Sequence, residues 1–167
     1  QAALRTGKID ILTPLSWEDT ARMRKTTPAL LEKEAPVGSG GGAAFYVYMR
    51  TDKPPFNDVK VRRAMHMAID FEAIRQNLHN GLGQILTWPF EYSKPYADLY
   101  LGLDDPKMPA SVKELYTYNP DKAKQLLKEA GYPNGFKTSA LIIASEVDYY
   151  SIIKDMWAKV GIDLRLD

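Results

Sequence analysis

The chain has 167 residues, with 22 Lys+Arg against 21 Asp+Glu, two His and no Cys; 45% of it is hydrophobic and 26% charged. A chain of this length is expected to form one domain burying roughly 70% of its unfolded surface, and its composition is that of a globular protein. The net charge of +1 excludes a nucleic-acid binder that works by neutralising many phosphates, and the missing Cys excludes disulfide staples, thiolate zinc sites and cysteine nucleophiles.

Residues 2–7 read as the last turn of a helix closed by Gly7. A short strand is expected at 8–12, with Ile9 and Ile11 on one face, and a short helix from Trp17 to about Lys25 behind a capping-box-like Ser16 and Asp19. The Gly-rich run at 37–42 reads as a flexible loop, and residues 43–50, carrying Phe45, Tyr46, Val47 and Tyr48, as an interior strand. Asn57 or Asp58 then caps a helix with Val61, Ala64, Met65 and Ala68 at i, i+3, i+4, i+7. Asp70 opens the next helix, which turns Ile74 and Leu78 inward and ends at Gly81. Residues 82–118 form a long connection rich in Pro and Tyr, and connections of that length are more often functional than idle.

Asn119 and Pro120 occupy the N-cap and N1 positions of a third helix, whose stripe is Ala123, Leu126, Leu127 and Ala130 and whose end is Gly131. A strand is expected at 136–144. A fourth helix starts near Val147 and buries Tyr149, Ile152, Ile153, Met156, Trp157 and Val160 before Gly161. The alternation at 162–167 reads as a half-buried strand. Strand, helix and strand from 136 to 166 make a βαβ unit with parallel strands. Since chains rarely stop on a well-formed strand, a longer polypeptide is expected. The start at Gln1 has neither the charged nor the apolar region of a signal peptide, and no segment approaches the roughly 20 apolar residues of a membrane span.

Catalytic motifs are missing. Ser39 sits in a glycine run with no strand-to-helix turn around it, and that run precedes a strand, whereas a phosphate-binding loop opens a helix. His66 reads as a packed or surface histidine beside an apolar stripe, and His79 as a partner of a helix C-terminus. Asp104-Asp105 lacks the alternating oxygen ligands of a calcium loop and reads as a solvated turn. Aromatic residues are the remaining signal. Trp88, Phe90, Tyr92, Tyr96 and Tyr100 crowd the Pro-containing connection, where they either recognise a ligand or pin the loop to its own domain.

The segment Tyr48-Met49-Arg50-Thr51-Asp52-Lys53-Pro54-Pro55-Phe56-Asn57-Asp58-Val59-Lys60-Val61-Arg62-Arg63-Ala64 resembles a hallmark of the family 5 extracellular solute-binding proteins, the peptide, oligopeptide and nickel receptors of ABC importers. In the same order follow Ala68-Ile69-Asp70 with Ile74, then Tyr118-Asn119-Pro120-Asp121-Lys122-Ala123-Lys124-Gln125-Leu126-Leu127-Lys128-Glu129-Ala130-Gly131-Tyr132, and Trp157-Ala158-Lys159-Val160-Gly161-Ile162. The opening Leu4-Arg5-Thr6-Gly7-Lys8-Ile9-Asp10 is similar to the segment by which that family's chain enters its second lobe.

The resemblance implies that residues 1–167 are a single α/β lobe, a mixed β-sheet flanked by helices, from a two-lobed periplasmic binding protein (type II, cluster C-like) whose first lobe lies outside this chain. It implies capture of a small-molecule or peptide ligand for an ABC permease. The location is periplasmic or extracellular, with a membrane anchor on the full-length protein. Catalysis, cofactor, metal and nucleic acid have no part in it. The expected ligand contacts are Trp88, Phe90 and Tyr92 in the connection and Ser145, Glu146 and Tyr149 after the 136–144 strand. In peptide-binding members that second loop carries an arginine for the ligand carboxylate; here it reads Ser145-Glu146-Val147-Asp148, which leaves a sugar, an aromatic compound or a differently held peptide open. A ligand-sensing domain of a regulatory protein and a hydrolase with a motif-free site are the two other readings.

Overall fold

The computed structural model describes residues 1–13, 15, 17–32, 47–81, 83–85 and 98–167. The chain divides into two compact units, residues 1–45 with 87–100 and residues 46–86 with 101–167. The glycine run at 37–42 lies outside the described residues.

In the first unit, α1 (Ala2–Arg5) closes with two backbone bonds, from Gly7 N–H to Leu4 O at 3.2 Å and from Lys8 N–H to Ala3 O at 2.8 Å. These satisfy carbonyls that a helix end leaves without partners. The expected strand at 8–12 does not form. A strand exists only through its ladder, and no described segment pairs with these residues; Ile11 is 77% exposed. Helix α2 (Trp17–Thr26) follows and buries Met23.

The second unit holds the main core. Residues 47–50 are irregular rather than the end of an interior strand, again for want of a ladder partner, and Tyr48 is 89% exposed. Asp58 caps α3 (Val59–Met67) by accepting from Lys60 N–H at 2.7 Å, and Asp70 caps α4 (Phe71–His79) by accepting from Ala73 N–H at 2.9 Å. The 82–118 connection is not loop throughout. Helix α5 (Ala110–Leu115) interrupts it, started by Pro109 and preceded by the buried Met108.

Asn119 accepts from Lys122 N–H at 2.9 Å to cap α6 (Pro120–Glu129), which packs its Ala123, Leu126 and Leu127 with Val61, Ala64 and Met65 of α3 in one buried cluster. Strand β1 (Phe136–Ala140), helix α7 (Val147–Ala158) and strand β2 (Ile162–Leu166) form the expected βαβ unit, with the strands parallel from Phe136↔Ile162 to Ala140↔Leu166. Strand β1 is shorter than expected: Ile142 N–H makes a last bond to Asp167 O at 2.9 Å, and a 3-10 turn then takes over at Ala144–Glu146.

The buried face of α7 is Tyr150, Ile153 and Trp157, so Tyr150, not Tyr149, is the ring sunk into the core. Tyr149, Ile152 and Met156 are half-buried along its flank. Trp157 fastens this helix to α3, with Nε1–H donating to Met65 O at 2.8 Å.

Candidate functional site

Parallel strands send their side chains alternately to two faces. Phe136, Thr138 and Ala140 of β1 and Ile162 and Leu164 of β2 take the covered positions, while Lys137, Ser139, Asp163 and Arg165 are exposed. That outer face carries an open concavity of about 410 Å3 lined by Lys137, Thr138, Ser139, Asp163 and Arg165. Its charges are largely spent on one another, through Lys137–Asp163 at 3.8 Å and Arg165–Asp167 at 2.8 Å. Arg165 holds the Asp167 carboxyl below the usual carboxylate range.

The carboxyl end of β1 is different in kind. In open α/β sheets the crevice beyond the strand C-termini is where ligands settle, because loops there can vary without disturbing the ladder. Here the chain leaves β1 through Leu141 (91% exposed) and Ile143 (62% exposed), turns in 3-10 form at Ala144–Glu146, and enters α7 at Val147. The turn is closed by Glu146 N–H donating to Ile143 O at 3.0 Å.

Of the six expected contacts, Glu146 and Tyr149 lie on this turn and the first turn of α7. Ser145 directly precedes Glu146 in the 3-10 turn, with only its backbone described. Trp88, Phe90 and Tyr92 lie outside the described residues.

Two residues not singled out from sequence join the group. Tyr150 packs its ring edge-on against Tyr149, centroids 5.6 Å apart at 90°. Burial pushes the Tyr150 phenol up, and the negative charge of Glu146 and the nearby Tyr48 phenol add to this. Tyr149 is pushed up to about 12, by burial first and by Tyr150 second. The group is therefore the Glu146 carboxyl beside Tyr48 and the two phenols Tyr149 and Tyr150, both of which burial pushes up. Tyr48 was assigned to a strand interior because nothing local shows that its ladder partner is missing; Tyr150 lay one position off the apolar stripe read for α7.

Neither histidine belongs to the group. His66 Nδ1–H donates to Leu115 O at 3.0 Å, and its ring packs against Phe71 and Tyr116 at 4.8 and 4.6 Å. Burial holds its pKa below the ordinary value. It is a packed histidine that ties α3 to the end of α5, and His79 lies in the last turn of α4. Among the described residues no three His, Cys, Asp or Glu are placed to hold a metal, and no helix is long and apolar enough to cross a membrane. The group offers charge, aromatic surface and hydroxyls, which are the means of binding.

The family description "Bacterial extracellular solute-binding proteins, family 5 Middle" matches residues 1–167. Heme-binding protein A of Haemophilus influenzae is 34% identical over 175 residues, covering 96% of this chain and 28% of the relative. Glutathione-binding protein GsiB of Pectobacterium atrosepticum is 31% identical over 138 residues, covering 83% of this chain and 23% of the relative. Among solved structures, the periplasmic binding protein DppA of Helicobacter pylori, in complex with the peptide STSA, superposes with a TM-score of 0.74 at 27% identity, covering 99% of this chain and 29% of that one. The chain thus spans between a fifth and a third of the length of the relatives it matches. A match over its whole length, in sequence profile and in fold, makes it a member of the bacterial extracellular solute-binding proteins of family 5.

Proposed function

We propose that the protein captures a peptide or other small organic solute outside the cytoplasmic membrane and delivers it to the permease of an ABC importer. The observation that carries this reading is the family match over residues 1–167, joined to the likeness to a peptide-bound receptor. In it, residues 1–167 are part of one lobe, a second lobe elsewhere in the polypeptide closes on the ligand by hinge motion, and a membrane anchor keeps the receptor near its permease. Nothing is transformed; binding and release are the whole cycle. The ligand meets the loop at the carboxyl end of β1, through Ser145, Glu146 and Tyr149, and the aromatic connection at Trp88, Phe90 and Tyr92.

The test is thermal unfolding of the full-length protein with a panel of tripeptides, glutathione and heme. A ligand at 100-fold excess over its dissociation constant adds about 2.7 kcal/mol to stability, an upward shift of a few degrees in Tm. Trp88→Ala and Glu146→Ala should each reduce the shift, the second while leaving the unliganded Tm near its original value. A panel with no stabilising member would refute the capture of such solutes, and full binding by both variants would refute the placement of the ligand.

A further inference from the structure

The patch at the carboxyl end of β1 has a charge as well as a shape. Leu141, Ile143 and Val147 are exposed along the strand exit, Val147 at 43%. Tyr48 stands exposed in the same unit, and Glu146 is half-buried between the strand exit and α7. The positive end of a helix dipole at the start of α7 would ordinarily draw an anion. Here the chain supplies its own anions, Glu146 at the N-cap and Asp148 in the first turn.

Among the described residues neither carboxylate is in an ion pair. The arginines closest in sequence to the group are already engaged, Arg50 with Asp52 at 2.7 Å and Arg165 with Asp167. A ligand carboxylate entering this patch would meet two negative charges, and the exposed lysine of the same helix, Lys154, lies two turns further along α7. A ligand cation would meet Glu146, the exposed ring of Tyr48 and the half-buried ring of Tyr149, with Tyr150 buried behind it, a setting suited to ammonium or guanidinium groups. The exposed aliphatic side chains would take up the methylene stem of such a group.

We propose that this patch selects solutes carrying an organic cation, an ammonium or guanidinium group on an alkyl stem, with Glu146 as its counter-charge. The proposal rests on the solute-capture reading above and adds the charge of what is captured.

The experiment uses the full-length protein and calorimetric titration of Lys-Ala-Ala, Ala-Lys-Ala and Ala-Ala-Lys, each beside its norleucine and glutamate counterpart. In at least one register the lysine peptide should bind about tenfold more tightly than its norleucine counterpart, and the glutamate peptide more weakly than either. Glu146→Gln should collapse the lysine advantage over norleucine to within about twofold. The substitution is safe for folding, because the Glu146 side chain makes no capping bond, and an unchanged unliganded Tm checks this. Equal binding of lysine and norleucine peptides in every register overturns the charge preference and leaves solute capture standing. A lysine advantage that survives in Glu146→Gln overturns the assignment to Glu146. Failure of every peptide, charged or neutral, to bind the intact protein overturns both this proposal and the peptide reading beneath it.

Discussion

Gly135→Ala should damage the unit that carries the candidate site, and the structure supplies both terms of its cost. Gly135 lies in the turn before β1 at φ +76°, in the left-handed region, where a Cβ costs about 1–2 kcal/mol. That Cβ would also fall 1.8 Å from the Gly161 carbonyl oxygen, in the turn before β2, far inside van der Waals contact. The obstacle is backbone, so the two turns must separate and take the first rung, Phe136↔Ile162, with them. Overpacking of this kind adds about 1–3 kcal/mol, for a total of about 2–5 kcal/mol. Gly131 provides the internal control. It has φ +90° but nothing within 4 Å of a Cβ, so Gly131→Ala should incur the backbone strain alone, about 1–2 kcal/mol. Urea unfolding followed by tryptophan fluorescence measures both, and the difference between them isolates the clash. Equal losses for the two variants would refute the claim that close approach of the 135 and 161 turns sets the geometry of the sheet.

Two further outcomes are expected. Trp157→Phe removes the Nε1–H that Met65 O accepts from and leaves that carbonyl in a core where Trp157 is 2% exposed. The unpaired group costs about 1–3 kcal/mol; chemical denaturation reads the loss, and a loss under about 0.5 kcal/mol would show that the indole bond does not fasten α7 to α3. For His66 the sign follows from its lowered pKa. The unfolded chain takes up a proton near 6.5 while the buried native imidazole resists, so the stabilisation is whole above 6.5 and declines as pH falls below it toward the native value. Thermal melts from pH 7.5 down to pH 5.5 should therefore show a falling Tm that flattens in His66→Asn; identical slopes would place the titration elsewhere.

The helices were legible because their signals are local. Asp58, Asp70 and Asn119 each cap a helix through a backbone N–H two or three residues ahead, and the apolar stripes of α3 and α6 lie within those helices. Strands do not work that way. Residues 8–12 and 47–50 have the composition of strands but no described partner, and only the pairing of β1 with β2, brought about by a helix of the right length, makes a ladder. Helix α5 was missed for the opposite reason: six residues after Pro109 are too few for a helical period to show. In α7 the apolar positions are dense enough to fit two neighbouring stripes, and the choice between Tyr149 and Tyr150 depends on Trp157 reaching Met65 in α3.

The position of two candidate contacts in the fold was legible, and the same physics explains why their chemistry was not. Glu146 and Tyr149 could be placed because they follow a strand and open a helix, a position that any βαβ unit presents at its carboxyl end. Their chemistry could not be read from capping grammar, since Glu146 makes no side-chain bond to the helix it precedes. That freedom is informative. Asp58, Asp70 and Asn119 are fixed by the backbone N–H groups they satisfy, whereas Glu146 answers to no such demand and its half-buried carboxylate lacks an ion-pair partner among the described residues. A residue that the scaffold leaves unconstrained at the mouth of the sheet can change sign without unfolding the lobe. On the ligand placement proposed above, affinity measurements on Glu146 variants would separate binding from folding more cleanly than substitutions in the core.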